Sequence, residues 1–217
     1  MATARTPRII QSFWPGRLWR LPSGTGSPRL FLTFDDGPTP GVTDWVLDQL
    51  GAYGAKATFF VVGEQAERHP DLLREVVRRG HTVGTHTQHH LNGWKTGSAE
   101  YLDDVRQGNQ AVSAILKSEF PEYEVAYFRP PYGRIRSRDA KQIRDDHQIV
   151  MWNVLAADWR QDLPIDKVTQ RVTRNAVDGS IVVFHDSVKA EPRVKGALPK
   201  VLKHFSEKGF QFEALKP

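Results

Sequence analysis

Residues 30–38 read Leu-Phe-Leu-Thr-Phe-Asp-Asp-Gly-Pro, an apolar run of strand-forming side chains that ends in two adjacent carboxylates and a Gly-Pro turn. The run predicts a buried strand over residues 30–34. Successive side chains of a strand point to opposite faces, so Asp35 and Asp36 are expected to leave it in different directions. Two carboxylates this close raise each other's pKa unless a cation lies beside one of them. The stretch therefore indicates either a solvated strand end or a site that holds a cation.

Composition indicates one soluble globular domain. The chain has 217 residues, of which 39% are hydrophobic and 25% charged, enough for a sizeable core. The net charge of +5 comes from basic residues spread along the chain, so we expect no nucleic-acid partner. Cysteine is absent, which excludes disulfides and thiolate metal sites. No apolar run approaches the roughly 20 residues of a transmembrane helix. We also expect the protein to be a monomer.

Residues 1–25 form a basic arm with scattered aromatic side chains, and residues 26–217 follow as the main domain. Pro15 and Gly16 interrupt the apolar residues of the arm, and no stretch resembles the apolar core of a signal peptide. From this pattern we expect a cytoplasmic protein, although a substrate in the cell envelope stays open. The arm could bind an anionic membrane surface weakly, but we expect it to fold over the protein's own core.

Strand-like and helix-like stretches alternate through the main domain. Apolar runs predict strands at residues 30–34, 57–62, 81–85, 125–128, 148–154, 180–184 and 210–212. Apolar residues at helical spacing predict helices near residues 41–50, 71–80, 98–120, 137–146, 165–176 and 197–205. Repeated strand–helix units of about thirty residues indicate a parallel sheet. Roughly seven such units, with strands buried on both faces, predict a single α/β domain folded as a (β/α) barrel.

Polar side chains follow most of the predicted strands, at the point where each strand ends. In (β/α) barrels the reactive groups lie on the loops that leave the carboxyl ends of the strands. The residues in such positions are Asp35, Asp36, His86, His90, Arg129, Asp158 and His185. The strand order therefore predicts that groups far apart in the sequence meet at one mouth of the barrel.

Residues 86–90 read His-Thr-Gln-His-His. On a helical turn, imidazoles at i and i+4 share one face, so His86 and His90 could bind one metal together with a carboxylate. A His₂Asp set is a common way to hold a catalytic zinc with an open position for water. His86 and His89, at i and i+3, are an alternative pair. The other histidines are expected to be structural or surface residues: His69, His81, His147 and His204.

Residues 129–133 read Arg-Pro-Pro-Tyr-Gly, a fixed charge followed by a stiff turn. Such a loop can aim the Tyr132 N–H at developing negative charge while Arg129 holds a carboxylate. His185 follows an apolar strand and could donate a proton, with Asp158 raising its pKa. These residues indicate proton transfer beside a stabilised oxyanion.

With these residues assembled, the chain resembles the polysaccharide deacetylases of carbohydrate esterase family 4, the nodulation-type chitooligosaccharide deacetylases, over about residues 30–212. The family's first motif, Thr-Phe-Asp-Asp-Gly-Pro, is intact at residues 33–38. The second, His-Ser/Thr-x-x-His, matches residues 86–90 and so selects His90 as the partner of the first histidine. The third, Arg-x-Pro-x-Gly, matches residues 129–133.

The last two motifs of the family are kept in part. The fourth, Asp-x-x-Asp-Trp, has Asp158 and Trp159 but Leu155 in place of its first acid. The fifth, Leu-x-x-His, appears as residues 182–185, with Val182 in place of leucine. The departures fall on supporting positions, and Leu155 bears on groove polarity and substrate preference more than on activity.

The resemblance implies a deformed (β/α)₇ barrel that removes acetyl groups from N-acetylated sugars. Such an enzyme is a hydrolase of carbon–nitrogen bonds other than peptide bonds, and its glycan substrate contains N-acetylglucosamine of chitooligosaccharide or peptidoglycan type. One divalent metal ion is implied, with Zn²⁺ expected and Co²⁺ or Ni²⁺ as substitutes. Its ligands would be Asp36, His86 and His90.

The resemblance also implies a role for each remaining site residue. Asp35 would be the catalytic base and His185 the acid that protonates the leaving amine. Arg129 would hold Asp35, and Asp158 would set the charge of His185. The groups that contact the acetyl group would be the Tyr132 N–H, Trp159 and Val182.

Three other readings of the sequence stay open. A carbohydrate-binding pseudoenzyme would keep the fold and the groove without turnover. A deacetylase of O-acetylated polysaccharides would use the same site on an ester. A phosphoester hydrolase often holds two metals and more carboxylates, whereas this sequence shows ligands for one.

Overall fold

The computed structural model describes residues 4–24 and 26–216. The strands in this part are β1 (Arg17–Leu18), β2 (Arg29–Asp35), β3 (Thr58–Val61), β4 (Thr82–Thr85), β5 (Tyr127–Phe128), β6 (Gln148–Val150), β7 (Val154–Leu155), β8 (Ser180–His185) and β9 (Gln211–Phe212). The α-helices are α1 (Arg8–Ser12), α2 (Thr43–Ala52), α3 (Gly63–Arg68), α4 (Pro70–Arg78), α5 (Ser98–Lys117), α6 (Ser137–Ile143), α7 (Ile165–Thr173) and α8 (Glu191–Ser206). A 3₁₀ turn covers Pro131–Gly133.

The strands form one parallel sheet, in the order β1-β6-β5-β4-β3-β2-β8-β7, with β9 also paired to β2. Strand β2 lies between β3 and β8, and it pairs with β8 over six residues and with β3 over three. Helices connect successive strands on the outside, as expected for parallel pairing. The single-domain α/β barrel predicted from the sequence is confirmed.

Strand β2 separates two apolar layers because its side chains alternate between the faces of the sheet. Leu30, Leu32 and Phe34 face the surrounding helices and belong to the largest core cluster. Phe31 faces the barrel interior and packs with residues of the other strands. Asp35 has the same parity as Phe31, so the strand carries its terminal carboxylate into the barrel mouth.

The N-terminal arm packs against the barrel, as expected. The Leu155 N–H donates to the Ala4 carbonyl at 2.9 Å, and the Met151 N–H donates to the Leu18 carbonyl at 2.7 Å. Strand β1 of the arm also pairs with β6. The arm thus shares backbone hydrogen bonds with both β6 and β7. Contact between its exposed Phe13 and a membrane surface stays a prediction.

The fifth strand, predicted as one element over residues 148–154, is two strands, β6 and β7. The chain leaves β6 where the carbonyls of Val150 and Met151 accept hydrogen bonds from Arg129. At Asn153 a side-chain contact takes the place of the regular backbone pairing, because Oδ1 of this residue accepts a hydrogen bond from the Ile181 N–H at 2.9 Å. A continuous apolar pattern could not show this interruption, since it depends on a guanidinium from another loop.

One helix of the main domain was not predicted from the sequence, and another begins earlier than predicted. Helix α3 has too few apolar residues to show a helical pattern, and among its buried residues only Ala66 carries a side chain. Helix α4 begins at Pro70, one residue before the predicted start, and His69 is its N-cap residue. Among the described residues, none of the helices combines the length and apolar character needed to cross a bilayer.

Candidate active site

A buried ion pair lies at the end of β2. The guanidinium of Arg129 is completely buried, 4.0 Å from the ring centroid of Phe60. It donates to Asp35 Oδ1 at 2.6 Å and to Thr33 Oγ1 at 2.7 Å. Thr33 and Asp35 share the inner face of the strand because they are two residues apart. Arg129 therefore holds the Asp35 carboxylate in a fixed orientation.

Asp36, His86 and His90 lie next to this pair, and their three ligand atoms are within 4.8 Å of one another. Asp36 Oδ1 is 3.3 Å from His90 Nε2 and 3.8 Å from His86 Nε2. His86 Nδ1 lies 2.7 Å from the Arg129 carbonyl and can donate to it, which leaves the Nε2 lone pair facing Asp36. A carboxylate and two imidazoles at these distances fit a divalent cation, and this donor set suits Zn²⁺.

The protonation states of these groups also suit a metal. Burial lowers the pKa of His86 to about 4, so its imidazole is neutral at pH 7. Burial opposes charge on Asp36, but a hydrogen bond from His90 and the nearby His185 hold the pKa of that carboxyl below its usual range. A neutral imidazole and an ionised carboxylate are the forms that bind metal ions.

The segment of residues 86–90 is not the helical turn that the spacing suggested. His90 has a φ of 57°, and the segment is held by Asp104 of α5. Asp104 Oδ2 accepts from the N–H groups of Gln88 and His89, each at 3.1 Å. Asp104 Oδ1 lies 2.6 Å from His89 Nδ1. His89 is thus engaged by Asp104, whereas His90 lies beside Asp36 and His86.

His185, at the end of β8, forms the third part of the site. Its Nδ1 lies 2.8 Å from Asp158 Oδ1, and its N–H donates to Asp158 Oδ2 at 2.8 Å. Trp159 packs edge-on against the imidazole, with ring centroids 4.7 Å apart. Burial alone would lower the pKa of His185, but the completely buried Asp158 outweighs it and raises this pKa to about 9. The imidazole is therefore protonated at neutral pH.

These three parts face one cavity of about 620 Å³. Besides Asp35, Asp36, His86, His90 and His185, the cavity is lined by Tyr132, Arg134, Trp152, Leu155, Trp159, Val183, Ser187 and Lys189. Tyr132 is in the left-handed region with a φ of 59°, and its ring centroid lies 4.7 Å from that of His90.

Val182 does not line the cavity, contrary to the expectation from the fifth motif. It belongs to the core cluster between the sheet and the helices, together with Phe184. Val183 lines the cavity instead, because strand alternation gives it the same inward parity as His185. Leu155, which replaces an acid of the fourth motif, lies on the same apolar wall.

The sequence reasoning missed Asp186, a buried carboxylate that shapes the turn after Asp36. It accepts from the Gly37 N–H at 3.0 Å and from the Thr43 hydroxyl at 2.6 Å. Asp36 itself has a φ of 84°, so its backbone leaves the strand conformation and the side chain escapes the alternation of β2. The signal available in the sequence was an acid directly after the histidine of an apolar strand.

We predict that Gly37→Ala destabilises the protein and abolishes most activity. An added Cβ would lie 2.0 Å from Asp186 Oδ2, so the turn must shift and carry Asp36 with it. Overpacking of this kind costs about 1–3 kcal/mol, measurable by denaturant unfolding. Gly51→Ala is the control, since a Cβ there meets nothing within 4 Å. Unchanged stability and activity in the Gly37 variant would show that the turn is not held this way.

We also predict that Asp158→Asn lowers the pKa of His185, because burial then acts without the opposing carboxylate. In the metal-free protein, NMR titration of the imidazole should give a pKa near 9, falling by more than about one unit in the variant. If His185 acts in its protonated form, activity is present below that pKa and lost as pH rises through it. The basic limb of the pH–rate profile should therefore move to lower pH, and an unmoved limb would contradict the assignment.

Comparison with known proteins agrees with this geometry. The family model described as "Polysaccharide deacetylase" matches residues 23–152. A peptidoglycan-N-acetylglucosamine deacetylase of Bacillus cereus is 31% identical over 201 residues, covering 89% of this chain and 88% of that protein. A chitooligosaccharide deacetylase of Sinorhizobium fredii is 37% identical over 166 residues, covering 76% of this chain and 74% of that protein.

A solved structure gives the same result for the fold. The crystal structure of a peptidoglycan N-acetylglucosamine deacetylase, in complex with 4-naphthalen-1-yl-N-oxidanyl-benzamide, superposes with a TM-score of 0.84 at 28% identity. The match covers 97% of this chain and 95% of that one. Fold and site thus define a hydrolase of the deacetylase class, which acts on carbon–nitrogen bonds other than peptide bonds. The chain belongs to the polysaccharide deacetylase family.

Proposed function

We propose that the protein is a metal-dependent deacetylase that hydrolyses the acetamide of N-acetylglucosamine units in a glycan and releases acetate. The observation that carries the proposal is that two adjacent carboxylates have different surroundings, which suit different roles. Asp36 lies within the ligand set, whereas Asp35 is held apart by Arg129 and faces the same cavity. The names of the relatives from Bacillus cereus and Sinorhizobium fredii support the choice of an N-acetylated glycan.

The first step needs a nucleophile and a base. Asp36, His86 and His90 would hold one divalent cation, with Zn²⁺ proposed, and such an ion lowers the pKa of a bound water and polarises a carbonyl group. Asp35 accepts the proton of the attacking water. Arg129 holds the Asp35 carboxylate in one orientation, because its buried guanidinium donates a hydrogen bond to Oδ1 at 2.6 Å.

The second step releases the amine. His185, protonated at neutral pH and fixed by Asp158, donates its proton to the leaving nitrogen. The Tyr132 N–H, at the rim of the cavity, contributes a donor to the oxyanion. Leu155, Val183 and Trp159 line the wall that receives the acetyl methyl group.

Acetate release tests the proposal. The purified protein is incubated with chitotetraose and with peptidoglycan fragments, after treatment with a chelator and after addition of Zn²⁺. We expect acetate with Zn²⁺ and at least about a hundredfold less after chelation, the scale of a lost catalytic group. Acetate from O-acetylated xylan alone would favour the ester reading, and binding of chitotetraose without turnover would favour a pseudoenzyme.

A further inference from the structure

The mouth of the cavity carries two cations that the proposed chemistry does not use. Arg134 and Lys189 both line the cavity, and both side chains are exposed. Neither forms an ion pair with any residue in the described ranges 4–24 and 26–216. Elsewhere on the surface, Arg68 and Arg78 each pair with a glutamate. The two unpaired cations are therefore available to a ligand.

The two cations lie on opposite sides of the metal-ligand set. Arg134 follows β5 and Lys189 follows β8, and the strands β4, β3 and β2 lie between them in the sheet. His86 and His90 follow β4, and Asp36 follows β2. A glycan whose acetamide reaches these ligands thus has one cation on each side of the reacting unit.

The acids of the cavity are already engaged. Asp35 is bound by the buried Arg129, and Asp36 faces His86 and His90. The positive charges of Arg134 and Lys189 are consequently not neutralised by the acidic side chains that line the same cavity. Charges of one sign at the mouth of a cleft attract ligands of the opposite sign.

Arg134 has a further neighbour suited to a sugar. Its guanidinium lies 5.4 Å from the ring centroid of Trp94, whose side chain is 57% exposed. An exposed aromatic face can receive the apolar face of a sugar ring, while a planar guanidinium binds a carboxylate with two parallel hydrogen bonds. The two side chains are thus suited to a sugar that carries an acidic group.

We propose that Arg134 and Lys189 make this enzyme selective for acidic glycans, in which units that flank the acetylated sugar carry carboxylates. The inference rests on the proposed deacetylase function and extends it to the class of substrate. Two kinds of glycan share this chemistry: those with lactyl or peptide carboxylates, and those with uronic acids.

The test compares each acidic glycan with its own neutral derivative. Substrates are a muramic-acid-containing tetrasaccharide and a tetrasaccharide of alternating glucuronic acid and N-acetylglucosamine, each with free or amidated carboxylates. We expect kcat/KM to be about tenfold higher for the free acid in at least one pair, the scale of a charge-assisted contact. The preference should weaken when salt is raised from about 50 mM to about 500 mM, because salt screens the attraction between exposed charges.

Variants then assign the preference to the two residues. Arg134→Gln and Lys189→Gln should each reduce the ratio of kcat/KM for acid over amide, and the double variant should bring it close to one. Lys208→Gln is the control, because Lys208 is exposed after α8 and does not line the cavity. Its ratio should equal that of the wild type.

Failure of this inference is distinct from failure of the proposed function. Equal rates for acid and amide in both pairs, or an unchanged ratio in the double variant, would overturn the inference while acetate release still supports the deacetylase. If no glycan releases acetate, calorimetric binding of the same pairs decides: tighter binding of the acid, lost in the double variant, supports the inference. Equal binding of acid and amide overturns it.

Discussion

Asp35→Asn is expected to lower turnover by at least about a hundredfold while the protein keeps its metal. A positioned general base contributes about 10²–10⁴-fold to rate, and asparagine cannot accept a proton from water. Asp36, His86 and His90 are unchanged, so the content of Zn²⁺ after dialysis should match that of the wild type. Acetate release and metal content are measured on the same preparation.

The variant also leaves Arg129 buried without a counter-charge. Removing one partner of a buried ion pair costs about 3–5 kcal/mol, although asparagine can still accept a hydrogen bond from the guanidinium. Denaturant unfolding therefore accompanies the assay, and activity is compared only where the variant is folded. Asp145→Asn is the matched control, because Asp145 is exposed and does not line the catalytic cavity. Activity of the folded Asp35 variant above about a tenth of the wild-type rate would be inconsistent with a base in this position.

Strand parity explains how far the site could be predicted. The alternation of β2 correctly places Asp35 inside the barrel, because it shares the face of Phe31 and Thr33. The same rule gives the direction of Asp36 wrongly, since a φ of 84° takes that residue out of the strand. That backbone angle depends on the hydrogen bonds of Asp186, which lies 150 residues further along the chain. Local sequence does not carry such information.

The histidine segment was predicted in a wrong conformation, although the two histidines that it singled out do lie together beside Asp36. Helical spacing singled out His86 and His90, but the segment is an irregular loop held by Asp104. The spacing of the motif, and not the assumed helical turn, identified the two histidines that lie beside Asp36. The prediction for Val182 was wrong by one residue. Val183 lines the cavity instead, and Val182 lies on the other face of the sheet because neighbouring side chains of a strand point to opposite faces.

His90→Ala is expected to weaken Zn²⁺ binding strongly. Loss of a residue that only contacts a metal ligand typically lowers metal affinity by about 10–100-fold, and we expect a larger loss here. The substitution deletes one of the three ligand atoms next to Asp36. His90 is a better choice than His86, which is almost fully buried and whose removal would also leave a cavity. Activity should fall in parallel and recover in part when Zn²⁺ is raised.

His89→Ala is the matched control, one residue away and of the same chemistry. Its imidazole contacts Asp104 at 2.6 Å and contributes no atom to the ligand set. The N–H groups of residues 88 and 89 still donate to Asp104 in this variant, so the loop keeps two of its anchors. Metal content after dialysis should therefore be low for His90→Ala and near the wild-type level for His89→Ala. The reverse result would assign the metal to the i, i+3 pair, and equal retention in both would remove His90 from the ligand set.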